Sequence, residues 1–203
     1  MYRAVRRTAS VVLAAVLLTG GACRQDREPL GPAATLPVGT TTTNPYAVPA
    51  VIDEVYVNRV LAGLDQAYGD ITRIVVSTRS LPPEVLARLK ALYVGDLLQL
   101  QIDLFALELA QGLPAYKVSP GNQRSVVTKL ISVRPTCIFA EVSRDQSAVG
   151  TTVDERLARQ WVALAPADAA VELTGYNPTS WQFLYDGFQE GFTQPQDPCL
   201  DAA

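Results

Sequence analysis

Residues 121–142 read GNQRSVVTKLISVRPTCIFAEV, and the fold turns on them. Upstream of Gly121, apolar residues recur every three or four positions. Downstream, they begin to alternate with polar ones. These are the side-chain periods of helix and strand. Val127, Lys129, Ile131 and Val133 alternate with Thr128, Leu130 and Ser132, which predicts a strand. Arg134-Pro135-Thr136 predicts a turn, and Cys137–Val142 a second strand. The same reading gives strands at Arg159–Ala165 and Trp181–Asp186, the last after a turn at Asn177–Ser180.

The helical part comes first. Val57, Val60, Leu61, Leu64, Tyr68, Ile71, Val75 and Thr78 fall on one helical face, with Gly69-Asp70 as an expected kink. Ser80-Leu81-Pro82-Pro83-Glu84 starts a second helix, with Ser80 or Leu81 as its cap and the prolines in its first turn. It is expected to run unbroken to Gln111, where Gly112 and Pro114 stop it. Val85, Leu89, Leu92, Leu100, Leu104 and Leu107 form its stripe, widened by Ile102, Phe105 and Leu109. A helix so apolar around its circumference is expected to be buried on most sides.

Helices followed by short strands predict an α+β domain, N-terminal helices packed on a C-terminal antiparallel sheet. That order of elements, from about Val51 to Asp186, resembles the NTF2-like or cystatin-like folds. The NTF2-like resemblance implies a cone-shaped pocket between helices and sheet. It does not imply one function, because that fold hosts isomerases, dehydratases, adaptors and structural modules.

The N-terminus has its own signature. Arg3, Arg6 and Arg7 precede an apolar run from Ala9 to Leu18 and the small residues Gly20, Gly21 and Ala22. Residues 1–22 are expected to be a signal peptide, since the run is shorter than the roughly 20 residues that span a bilayer. The segment ending at Cys23 resembles the lipobox of bacterial lipoproteins, with Gly20 where leucine is usual. That resemblance implies acylation of Cys23. Cleavage by the ordinary signal peptidase with simple secretion, and an uncleaved anchor, are the alternatives, and Arg6-Arg7 leaves a twin-arginine export route open. The Ala, Val and Arg usage resembles that of a high-GC, actinobacterial-looking bacterium. Residues 23–49 are rich in Pro, Gly and Thr and are expected to be a disordered tether, with a mean reach of about 30 Å. Residues 50–203 are expected to form a single domain.

Charge and cysteine content narrow the function classes. The formal net charge is -3, and removing three leader arginines and no acid takes it to -6. No basic cluster follows the leader, which argues against a nucleic-acid partner. The chain has three cysteines and no histidine. Lack of histidine excludes a Ser-His-Asp triad, a Cys-His pair and a His-ligated metal. With Cys23 acylated, Cys137 and Cys199 remain as an even pair for one disulfide, which would pin the proline-rich tail. Two buried thiols are the alternative. No phosphate-binding glycine motif is present, and neither a cofactor nor a metal is expected.

Few residues offer chemistry. Trp161, Tyr176, Trp181, Phe183 and Tyr185 crowd the last third, and Trp181, Phe183 and Tyr185 are expected on one strand face. They fit an aromatic wall for a ligand or partner, or a core face of the sheet. Glu141 shares a strand face with Cys137 and Phe139, so it is the one candidate for a carboxylate base of raised pKa, with Tyr176 or Tyr185 beside it. A solvated position, or a pair with Arg134 or Arg144, is the other reading. The expectation is a lipoprotein at the outer face of the cytoplasmic membrane, with a non-enzymatic module that binds an envelope protein or a small apolar ligand. An NTF2-like isomerase or hydrolase using Glu141 and a passive structural module are the alternatives.

Overall fold

Helix α1 (Glu54–Thr78) opens where Asp53 accepts the Tyr56 amide at 2.8 Å and closes where Arg79 turns left-handed, φ 50°. The structure is a computed structural model that describes residues 44–151, 159–168, 171, 174–187 and 193–200. The expected signal peptide, Cys23 and the expected tether up to residue 43 lie outside the described residues. Among those described, no helix is long and apolar enough to cross a membrane. Helix α1 is continuous, so Gly69 makes no kink. A Cβ there would meet the Asn122 side chain, and the glycine marks a close approach instead. Packing also reaches back past Ala50. Tyr46 is half-buried, its carbonyl accepts the Tyr56 hydroxyl at 3.0 Å, and Arg59 donates to the Pro45 carbonyl.

The expected single long helix is two. Helix α2 (Pro83–Leu92) is capped by the Pro82 backbone with Pro83 at its first position, and not by a Ser80 or Leu81 side chain. Tyr93 and Val94 are extended, and α3 (Gly95–Ala110) begins at a glycine with φ 58°. The break has a tertiary cause. Tyr93 bridges to Phe183, and the Val94 amide donates to the Phe183 carbonyl at 3.1 Å. Carbonyls near the end of α2 are claimed by side chains from far along the chain. Asn177 donates to the Ala91 carbonyl and Gln182 to that of Lys90, each at 2.8 Å. Such partners satisfy the groups a helix end leaves open.

Four strands follow: β1 (Arg124–Arg134), β2 (Cys137–Asp145), β3 (Arg159–Pro166) and β4 (Trp181–Gly187). They form one antiparallel sheet in the order β1-β2-β3-β4. The α+β class and all four expected strands are therefore present. The inner face, with Ile138, Ala140, Val142, Val162, Leu164 and Phe183, shares a core with Val57, Leu61, Leu64 and Ile71 of α1 and Leu89 of α2. The outer face carries a second, smaller cluster of Cys137, Phe139, Trp161, Ala163 and Cys199.

Bulges correct the face assignments. Register shifts between Val127 and Lys129 and between Leu130 and Ser132 leave Thr128 and Ile131 unpaired. Each extra residue reverses which side chains face the core. Val127 and Leu130 thus pack inward, whereas Lys129 pairs with Glu141 and Ile131 packs outward. A third shift, in the β3–β4 pair, matches Leu164 to Phe183 but Ala163 to Tyr185. Trp181 and Phe183 stay inside while Tyr185 packs outside.

Burial of α3 also departs from expectation. Phe105 is its one fully buried side chain, while Leu100, Leu104 and Leu107 are 51%, 45% and 53% exposed. The helix lies at the end of the layer, with half its apolar circumference uncovered.

Asn177 is the joint between the helices and the sheet. It is buried, its amide nitrogen donates to the carbonyls of Ala91 and Trp181, and its amide oxygen accepts the Thr179 amide and hydroxyl. Asn177→Ala orphans several buried groups at once. It should cost about 3 kcal/mol in urea unfolding, at roughly 1 kcal/mol or more per unpaired group.

Candidate functional site

Strand alternation places Arg144 on the inner face, where burial would otherwise demand an apolar residue. Counting from Ile138 in steps of two gives Ala140, Val142 and then Arg144. A buried cation must be paired and hydrogen-bonded. Arg144 Nη1 donates to Asp186 of β4 at 2.7 Å, and Nε donates to the Ser125 hydroxyl of β1 at 2.9 Å. The side chains of this ion pair are only 4% and 8% exposed. Behind Ser125 stands Asp65 of α1, which accepts the Ser125 amide, the Ser125 hydroxyl and the Gln123 amide group. Helix α1, β1, β2 and β4 therefore meet through one chain of charge-assisted bonds.

The electrostatics follow from burial and proximity. Burial pushes the Asp65 carboxyl up, against the pull of Arg144 and its hydrogen-bond donors. Burial works to lower the Arg144 guanidinium, but Asp186 and Asp65 outweigh it and hold the group above its ordinary value. The Tyr93 phenol is pushed well above its ordinary value, mainly by burial, and stays protonated.

This cluster walls a cleft of about 210 Å³ at the end of the sheet. Tyr68, Tyr93 and Leu104 supply apolar surface, and Gln101, Gln123, Gln146 and Gln160 supply carboxamides. Tyr93 stacks on Phe183, with ring centroids 5.4 Å apart. Tyr68 is held from behind by Phe105, which stacks on Tyr116. Two buried polar atoms of cleft-lining residues have no hydrogen-bond partner among the described residues: Arg144 Nη2 and Gln160 Oε1. Gln160 pairs with Val142, so it stands diagonally next to Arg144 on the inner face. An unpaired donor and an unpaired acceptor thus stand on neighbouring residues of the wall, both closed to solvent. A larger groove lies between α1 and β1, about 430 Å³. Its buried Asp65 and Ser125 already bond one another, and Asn58 accepts the Val127 amide.

The sequence-predicted residues do not converge on this cleft. Glu141 is on the outer face, as its alternation with Cys137 and Phe139 implies. Its partner is neither Arg134 nor Arg144, which is three residues away and faces inward. Arg159, diagonal to it on β3, donates twice at 2.9 Å. The Arg159 hydrogen bonds hold the Glu141 carboxyl below its ordinary value, whereas a general base needs a raised one. Trp181 lies in the inner core and donates to the Tyr56 hydroxyl at 2.8 Å. Trp161 and Tyr185 belong to the outer cluster, and Tyr176 packs under the Arg88 guanidinium in a loop. The aromatic set is thus divided between two faces and a loop and forms no single wall. Cys137 and Cys199 stand in disulfide geometry, with Cα atoms 5.5 Å apart, and Arg134 donates to the Cys199 carbonyl. Among the described residues, no group of three acidic or cysteine side chains is placed to hold a metal.

The Glu141–Arg159 pair has a definite pH signature. A carboxyl lowered on folding adds stability above its unfolded pKa, and that stability is lost as the pH falls through the folded value. Glu141→Gln should cost less than about 1 kcal/mol at pH 7, because Arg159 is half-exposed. The difference should disappear in acid. A carboxyl titration of Glu141 above the ordinary carboxylate range would restore the base.

Comparison with known proteins gives no matching family model, no matching curated protein and no matching solved structure. The chemistry of this chain is therefore read from the cleft itself.

Proposed function

We propose that the chain is an exported lipoprotein, anchored through Cys23 at the outer face of the cytoplasmic membrane, whose α+β domain binds a small ligand in the Arg144 cleft. One observation carries the binding reading. The buried Arg144–Asp186 pair, with Gln101, Gln123, Gln146 and Gln160, lines a cleft of about 210 Å³. A buried ion pair adds little net stability over apolar packing, so a fold keeps it where something else gains. The NTF2-like reading is supported by three helices laid against a four-stranded antiparallel meander with a cleft at one end. The carboxylates near the cleft support binding without catalysis, since Asp65 and Asp186 are both engaged in holding its wall. The lining is more polar than the apolar pocket expected from the sequence.

Two experiments test the two halves. Radiolabelled fatty acid should enter the wild-type protein and not Cys23→Ala; label surviving that change would refute the anchor. Gln160→Met keeps the volume and removes the unpaired acceptor. It should raise unfolding stability by about 1 kcal/mol while weakening, by about tenfold, saturable binding of fragments from a chemically mixed set. Binding that is unaltered, or no binding by any fragment, would refute the cleft.

A further inference from the structure

Resting on the Cys23 anchor, and not on the cleft, we infer that the domain docks on the lipid bilayer through exposed valines at the end where the chain enters it. The observation is where the exposed apolar side chains lie. Val48, Val51, Val55, Val133 and Leu200 are all exposed, Val51 to 76%. They gather at one end of the sheet. Val48, Pro49 and Ile52 share a shallow pocket of about 190 Å³ with Val133 and Pro135 at the tip of the β1–β2 hairpin. Val51 belongs to the same run, and Val55 to the first turn of α1. Arg134 of the tip donates to the Cys199 carbonyl at 3.0 Å, and the disulfide ties Cys199 to Cys137, which brings Leu200 to the same place.

The occupant follows from the chain outside this end. The described residues begin at Asn44, just before Val48. Cys23 stands about twenty residues upstream, and a linker of that length presents its two ends to one another at millimolar effective concentration. An acylated Cys23 therefore delivers this end, and not the other, to the bilayer. At such a concentration weak apolar contacts suffice. Valine, proline and leucine side chains bury in the boundary between headgroups and acyl chains without stranding a polar group. Nearby charges balance, Arg59 and Arg134 against Asp53 and Glu54, so the contact needs no anionic lipid and resists salt. The cleft belongs to the opposite end. Strand β1 runs from Arg124 at that end to Arg134 at the tip, a distance of about 30 Å. Docking at the tip points the cleft away from the bilayer.

Tryptophan fluorescence reads the contact, because Trp161 and Trp181 are both fully buried. The full chain is processed in a bacterial host and reconstituted into phosphatidylcholine vesicles whose acyl chains carry bromine, a contact quencher. Val51→Trp reports from the valine patch. Val118→Trp reports from an exposed site at the other end, where Lys117 donates to the Val149 carbonyl beyond β2. A third chain adds Val48→Asp and Val133→Asp, both at exposed positions, to Val51→Trp. Val51→Trp should be blue-shifted and quenched several-fold more than Val118→Trp. The two aspartates should remove that quenching while the protein still floats with the vesicles. Equal quenching at the two positions would overturn docking and leave the anchor in place. Quenching that survives both aspartates would overturn it too, as proximity imposed by the tether alone. A blue shift that appears without vesicles and grows with protein concentration would assign the patch to a second copy of the chain and overturn the membrane contact. A chain that does not float with the vesicles overturns the anchor, and docking falls with it.

Discussion

A buried guanidinium governs this domain. Arg144 is carried inward by strand alternation, and its solvation must be replaced by protein. Asp186 from β4, Ser125 from β1 and Asp65 from α1 supply that replacement. Three elements are thereby fixed around one charge. Removing a single partner would leave an uncompensated ion, at a cost of about 3–5 kcal/mol. Arg144 and Asp186 also line the cleft. The site is therefore built by the same contacts that close the sheet against α1.

The opposite face of the sheet serves a different purpose. Cys137 and Cys199 lay the tail segment Pro198–Leu200 over Phe139 and Trp161. Glu141 and Arg159 flank this cluster as a surface pair. Helix α3 leaves Leu100, Leu104 and Leu107 exposed, and Leu104 lines the cleft.

Much of the architecture was legible in residue spacing. The change of period after Gly121 locates the helices and all four strands, because helical and strand periods differ so widely. Three features were not legible, and each has a non-local cause. The break at Tyr93–Val94 depends on Phe183, some ninety residues away in the chain. The bulges at Thr128 and Ile131 resolve an anomaly visible beforehand, a lysine on an otherwise apolar strand face. The exposure of α3 depends on where the sheet ends. The cleft has a signal in the sequence: Arg144 and Gln160 each continue an apolar inner row, Ile138-Ala140-Val142 and Leu164-Val162. A polar residue continuing such a row is a better pointer to a site than the conspicuous aromatics, which serve the two cores. The face of Glu141 follows from alternation, but its partner Arg159 depends on strand register.

The central claim is that the ion pair of Arg144 and Asp186 is desolvated and holds the cleft together. A double-mutant cycle of Arg144→Met and Asp186→Leu, followed by urea unfolding, measures it most directly. Each single change should cost about 3 kcal/mol or more, because it strands the other charge. The double variant should be destabilised by about 2 kcal/mol less than their sum, the coupling expected for residues in one buried network. Additive losses would contradict the account, for they would mean that the two charges do not depend on each other.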